Sequence, residues 1–167
     1  MTVEAGRFRE GMRRLPASVC VITTGQADDR HGCTATAVSS VSDSPPSLLV
    51  CLNQKSATGQ RIVERGSFAI NVLDTEDVHT ASRFASSAPA AEKFETGEWS
   101  TAEMGAPRLA TAVAAFDCKV SSVVPSGSHL IIIGEVVGID TQGVARDALL
   151  YGDGRYGGFA PCPEIAA

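Results

Sequence analysis

The sequence predicts a mainly β fold with short helices, built from sequential hairpins that form a closed sheet. Three observations lead there. Short β-branched or apolar runs recur at 18–24, 33–41, 47–52, 68–73, 112–124 and 130–139. Gly, Pro, Ser and Asp punctuate the gaps between them. Helical periodicity is confined to brief stretches with no regular βαβ alternation, which disfavours a doubly wound parallel sheet.

In chain order, 4–15 reads as an amphipathic helix. Phe8, Met12 and Leu15 fall at helical spacing, Arg7, Arg9, Glu10, Arg13 and Arg14 fill the rest, and Pro16 ends it. Residues 18–24 are β-branched and short, a strand, and the polar 25–32 is a hairpin loop. The next strand, 33–41, is small and β-branched but poor in bulky side chains, and Pro45 and Pro46 break it. The continuous apolar run 47–52 is a core strand. A helix over 57–65 is closed by Gly66, and a strand follows at 68–73. Asp74 is expected to cap a helix through about Phe84, with Glu76 and Asp77 in its first turn suiting the helix dipole. Residues 86–105 read as an irregular excursion with one helical turn near 90–94. Two long strands, 112–124 and 130–139, flank a turn at 125–129. With no repeat, linker or low-complexity tract, the expectation is one domain over 1–167.

Composition narrows the function classes. Hydrophobic residues make up 44% and charged residues 20%, ordinary for a globular domain. A net charge of −5 argues against non-specific binding to nucleic acid or anionic membrane. No apolar run reaches the ~18 residues of a membrane span, and the first residues lack an apolar signal region, so the cytoplasm is the default compartment. Cys20, Cys33, Cys51, Cys118 and Cys162 are odd in number and contain no C-x-x-C pair, which fits reduced thiols rather than a disulfide framework or zinc site. Cys20, Cys51 and Cys118 lie in apolar or alternating runs and read as small buried hydrophobes rather than catalytic thiols.

Four features could carry chemistry. Gly152, Gly154 and Gly157 match G-x-G-x-x-G, but a dinucleotide fingerprint needs a following helix, and Pro161 and Pro163 block one. The match is read as chance. Second, small residues and hydroxyls crowd 32–41. They would let a flat ring system approach the backbone, with hydroxyls and N–H groups for its polar edge, or else simply allow close strand packing. Third, Asn53, Gln54, Lys55, Ser56, Ala57 and Thr58 join a core strand to a helix. They could form an anion site at the helix start or simply its N-cap. Fourth, of the three histidines, His31 lies in a polar loop, His79 in a helix, and His129 between a glycine turn and a strand, a place suited to a pocket mouth. None has metal-ligand spacing. No G-x-S-x-G elbow supports a hydrolase built on Ser40 and His129.

Together these blocks resemble a known family. The segments are 8–12, 21–24, the long block 32–53, 68–73, Arg83-Phe84-Ala85, Gly127-Ser128-His129 and 151–156. They are similar to the flavin reductase component of two-component aromatic monooxygenases, of the 4-hydroxyphenylacetate 3-monooxygenase reductase type. The resemblance runs over about 8–156. It implies an FMN-binding split β-barrel, a homodimer, and FMN or FAD held in a groove near the subunit interface. It also implies NADH or NADPH as electron donor and a partner flavin-dependent monooxygenase. Carried over by position, Thr34, Ala35, Thr36, Ser39, Ser40 and Val41 resemble the flavin-contacting strand. Cys51, Asn53, Ser56 and Thr58 resemble the segment around the flavin chain and phosphate. Arg83 and Phe84 resemble a further flavin contact. His129, in a Gly-Ser-His version of the family's Gly-Thr-His, resembles the residue at the nicotinamide and flavin face and is the catalytic candidate. Arg155 and Tyr156 match the C-terminal basic–aromatic element. Where relatives often carry His after that aromatic, this chain has Gly157, so a more open C-terminal wall is expected. In the same fold, reduction of a corrinoid or metal complex, or flavin binding without catalysis, are the alternatives. Retained flavin with poor turnover of free flavin, or with no nicotinamide oxidation at all, would distinguish them.

Overall fold

The computed structural model describes residues 2–141 and 146–162; Pro163 lies outside them. Its centre is a seven-stranded antiparallel sheet. The strands are β2 (Cys20–Thr24), β3 (His31–Ala35), β4 (Val38–Asp43), β5 (Pro46–Asn53), β6 (Ser67–Val72), β9 (Ala114–Ser126) and β10 (His129–Thr141), in spatial order β3-β2-β6-β9-β10-β5-β4. The edge strands β3 and β4 are consecutive in the chain, separated only by Thr36 and Ala37. At ~4.8 Å per strand, the edges of a flat sheet of this size would stand about 29 Å apart. Three Cα–Cα steps reach about 11 Å. The sheet must therefore curl until its edges meet, which makes a barrel with a seam between β3 and β4.

This seam corrects the expected single strand over 33–41. The chain leaves one edge after Ala35 and joins the other at Val38, where β4 pairs with β5. Ala37 still contributes by accepting the Cys51 N–H at 2.9 Å.

Around the barrel lie α1 (Ala5–Met12), β1 (Ala17–Ser18), α2 (Ala57–Arg65), α3 (Val78–Ala85) and α4 (Ala90–Lys93). A two-stranded ribbon, β7 (Trp99–Thr101) with β8 (Pro107–Leu109), and the hairpin β11 (Leu150–Gly152) with β12 (Arg155–Gly157) complete the fold. These four short strands have too little alternation to stand out in the sequence. α2 matches the expected helix, capped by Ser56 and closed by Gly66 at φ +71°. α3 starts later than expected. Asp74 Oδ1 accepts the Glu76 N–H at 2.9 Å, and the Asp77 N–H bonds the Asp74 carbonyl at 2.9 Å. That local turn competes with the helix and delays it to Val78. The turn expected over 125–129 is tighter in fact: Pro125 pairs with Leu130, leaving only Gly127 and Ser128 in the bend, with Gly127 at φ +54°.

Strand β2 is buried on both faces. Cys20 and Ile22 point into the barrel with Val50, Leu52, Phe68 and Ile132. Val19 and Val21 point outward into a second core with Leu73, Phe84, Phe94 and Leu109. Phe84, Phe94 and Trp99 form a ring cluster with centroids 5.0–5.3 Å apart. The Arg30 guanidinium lies 4.7 Å over Phe94. No described helix is long and apolar enough to cross a membrane.

Candidate functional site

The seam organises the candidate site. Along β3, side chains alternate between the two cores. Gly32 and Thr34 face α3; Cys33 and Ala35 face the barrel interior. An added Cβ at Gly32 would lie 2.6 Å from the Phe84 ring, so only glycine lets β3 close on that core. Thr34 Oγ1 donates to the Ala81 carbonyl at 2.6 Å, which ties the strand to α3.

Beyond Ala35 the chain is exposed, and two clefts meet at Thr36. One, of about 260 Å³, is lined by Thr34, Ala35, Thr36, Ala85, Tyr151 and Tyr156 among others. The other, of about 450 Å³, runs along Thr36, Val38, Ser39 and Ser40 over Leu48 and Leu150. They form one groove along the seam, in the size range of small-molecule sites, ~300–1,000 Å³. Its walls are small at Ala35, Ala85, Ser39 and Ser40, and hydroxyls line its length. Those features fit a flat heteroaromatic ring with polar edges. Tyr156 packs edge-on against Tyr151 at 5.2 Å, and both line the Thr34 cleft.

A second group gathers where β5 ends and α2 begins. Asn53 and His129 are partners across the β5–β10 ladder. Asn53 Oδ1 accepts the Lys55 N–H at 2.9 Å, and Ser56 Oγ accepts the Gly59 N–H at 3.3 Å, so this stretch does cap α2. His129 is exposed, with Nδ1 2.9 Å from Ser128 Oγ. Gln54 holds this turn in place. Its N–H bonds the Ser128 carbonyl at 3.0 Å, and its Nε2 donates to Gly127 at 2.9 Å. The sequence placed Gln54 in the candidate segment 53–58 but not in this role, because its partner Gly127 lies 73 residues away. Cys33 joins the two groups: it precedes Thr34 in β3, and its thiol meets the hydroxyls of Thr58 and Ser56. Burial pushes that thiol's pKa up, against the opposing effect of those two hydroxyls.

The remaining predicted positions are placed as follows. Val41 is exposed on β4. Cys51 is half-buried on β5, while Val50 and Leu52 on either side of it face the barrel interior. Thr58 is buried at the start of α2. Arg83 pairs with Glu92 at 2.9 Å, and Arg155 with Asp153 at 3.2 Å. Phe84 is 1% exposed, with its ring packed in the aromatic cluster against Gly32 of β3. The glycine motif at Gly152 is the turn of the β11–β12 hairpin, with Asp153 and Gly154 at φ +52° and +80°. No helix follows it among the described residues. A Cβ at Gly157 would meet nothing within 4 Å, in keeping with an open wall there. The sequence did not single out Tyr151 and Ala85 as groove-lining residues, since the β11 hairpin that brings Tyr151 over carries no strand signal.

Residues 12–160 match the family model described as flavin reductase like domain. The chain belongs to this family. Among the relatives of this flavin reductase-like protein is FMN reductase (NADH) RutF of Ancylobacter novellus, 40% identical over 158 residues, covering 95% of this chain and 87% of that one. The reductase component of the FADH(2)-dependent resorcinol hydroxylase of a Rhizobium species is also 40% identical, over 92% of this chain and 87% of its own. Among solved structures, the NADH:FAD oxidoreductase of Streptomyces globisporus superposes with a TM-score of 0.88 at 32% identity, covering 96% of this chain and 98% of that one. The expected split-barrel architecture of flavin reductases is thus shared along nearly the whole flavin reductase-like chain.

Proposed function

We propose that this protein is an NAD(P)H-dependent flavin reductase that supplies reduced FMN or FAD to a partner monooxygenase. The observation that carries the reading is the seam groove, small-walled and hydroxyl-lined, in a chain of the flavin reductase family. Relatives named as an NADH-dependent FMN reductase and as the reductase component of a hydroxylase support both halves of it.

The proposed reaction would move a hydride, with its two electrons, from the nicotinamide to flavin N5, leaving oxidised nicotinamide and anionic reduced flavin. The flavin and nicotinamide carry that chemistry; the protein contributes binding and orientation. In this reading Thr34, Ala35, Thr36, Ser39, Ser40 and Val41 hold the flavin. Thr36 and Ala37 stand outside the strands and are exposed, so their backbone can face the ring's polar edge. Asn53 and Ser56, with Cys51 and Thr58 behind them, serve the flavin chain and its phosphate. His129, Tyr156 and Arg155 serve the nicotinamide side, and Arg83 the flavin side. A homodimer, one domain over the whole chain and a cytoplasmic setting complete the proposal. The free state of all five cysteines favours a reducing compartment.

The test is steady-state oxidation of NADH and NADPH with FMN and FAD. At least one of these pairs should consume nicotinamide well above the uncatalysed rate. If none does, the reading fails.

A further inference from the structure

Gln54 stands between the two halves of the proposed site. In the flavin-reductase reading, Asn53 and Ser56 serve the flavin phosphate, and His129, across the ladder from Asn53, serves the nicotinamide. The Gln54 N–H donates to the Ser128 carbonyl at 3.0 Å. Its Nε2 donates to the Gly127 carbonyl at 2.9 Å and to the His129 carbonyl at 3.4 Å. Three consecutive carbonyls of the bend that carries His129 thus accept from one residue.

The bend has little other support. Gly127 and Ser128 are exposed, with Gly127 at φ +54°. Pro125, beside the bend, has no N–H to give to the ladder. β9 pairs with β6 only as far as Lys119, so 121–126 have β10 as their one strand neighbour among the described residues. Gln54, by contrast, is half-buried, and its own carbonyl accepts from Gln60 Nε2 of α2 at 3.1 Å. The clamp therefore runs from α2 through Gln54 to the bend. There Ser128 Oγ meets His129 Nδ1 at 2.9 Å, so Nε2 is the ring nitrogen left for a ligand. Two residues back along β5, about 7 Å away, the Cys51 N–H bonds the Ala37 carbonyl at the seam. Groove, phosphate turn and His129 share one short frame.

We infer that Gln54 is a positioning residue that acts through His129: it fixes the 127–129 bend so that the imidazole keeps one place beside the flavin segment. Hydride transfer needs two rings to meet within a narrow range of distance and angle. A bend free to rock would present the nicotinamide in many poses, few of them reactive. A side-chain amide suits the task, because it donates to carbonyls without adding charge. A carboxylate of the same shape only accepts, and would repel the same oxygens. The inference rests on the flavin-reductase reading, which assigns His129 to the nicotinamide.

The test uses Gln54→Ala and the isosteric Gln54→Glu, which covers the case of an alanine variant that fails to fold. Both keep the backbone bond to Ser128 and lose the Nε2 donor. For the nicotinamide that wild type uses best, kcat/KM should fall roughly two- to tenfold, the range for one or two lost neutral hydrogen bonds. Flavin KM should stay within about twofold, since Asn53 Oδ1 and Ser56 Oγ bond Lys55 and Gly59 independently of that side chain. General loosening of the turn would move both. In a His129→Ala background, Gln54→Ala should cost nothing further. A second measurement needs no turnover. In imidazole NMR spectra of the labelled protein, the His129 signals, identified by their loss in His129→Ala, should shift in both Gln54 variants while those of His31 and His79 stay. An unchanged nicotinamide kcat/KM, an equal effect on the flavin, additive effects in the double variant, or unmoved His129 signals would each overturn the inference. A wild type that oxidises neither nicotinamide with either flavin would instead strike the flavin-reductase reading, and the spectra would still decide whether Gln54 positions His129.

Discussion

Gly32→Ala is predicted to destabilise the protein and loosen the groove together. The added methyl would stand 2.6 and 2.9 Å from two ring carbons of Phe84 and 3.4 Å from the Ile22 carbonyl. The ring has little room to retreat, because Phe94 and Trp99 pack it at 5.1 and 5.3 Å and it is fully buried. Strand β3 must therefore move outward, carrying Thr34 and Thr36 with it. Overpacking of this kind costs about 1–3 kcal/mol. With an unfolding entropy of ~2.1 cal/mol/K per residue, a chain of this length has ~0.35 kcal/mol/K, so the melting temperature should fall by about 3–9 °C. Thermal unfolding followed by circular dichroism measures this, and flavin KM should rise in the same variant. Phe84→Leu in the Gly32→Ala background supplies the missing space. The two substitutions should therefore couple favourably by about 1 kcal/mol or more. Additive effects, or a Gly32→Ala protein as stable as wild type, would refute the account of how β3 is seated.

Three further outcomes follow from the structure. Asp117 is buried, with one oxygen accepting the Met104 N–H at 2.6 Å and the other without a partner among the described residues. Burial, aided by Glu103, pushes its carboxyl above the ordinary range. The folded state then keeps the proton to higher pH than the unfolded chain. Stability is lost as pH rises from the unfolded pKa through the raised folded one, and the loss is complete above it. Asp117→Asn should flatten that window in urea unfolding measured across pH; an unaltered pH profile contradicts it. Asn71, fully buried, accepts the Leu109 N–H at 2.8 Å and donates to the Val21 carbonyl at 3.1 Å. Asn71→Ala orphans both groups and should cost about 1–3 kcal/mol for each left unpaired, read by urea unfolding. Burial pushes the thiols of Cys20 and Cys118 up to about 12. At mildly alkaline pH iodoacetamide should modify the exposed Cys162 in the native protein and reach those two only after unfolding. Mass spectrometry showing rapid native labelling of Cys20 would contradict this.

The elements with strong local signals were legible. α2 had its Ser56 cap and Gly66 stop, β5 its unbroken apolar run, and β9 and β10 their length. The β7, β8, β11 and β12 strands were not, because each has three residues and owes its state to a partner distant in sequence. The same holds for the site. Thr34 to Ser40 and Asn53 to Ser56 stood out locally, whereas the bond of Gln54 to Gly127 and the place of Tyr151 in the groove come from contacts across the fold.

The long block 32–53 shows why composition alone left two readings open there. Its small residues were compatible with tight packing or with a ligand groove. The barrel seam makes these one requirement. At Thr36 and Ala37 the chain must cross from one sheet edge to the other within about 11 Å. Before the crossing, Gly32 must lie flush on Phe84; after it, Ser39 and Ser40 border the open cleft. Bulky side chains would obstruct the crossing and fill the groove alike. Wherever a ladder is interrupted, backbone groups also come free of the sheet. A barrel closed by so short a link therefore leaves its least crowded, most polar surface at the seam, where a flat polar-edged ring can be held.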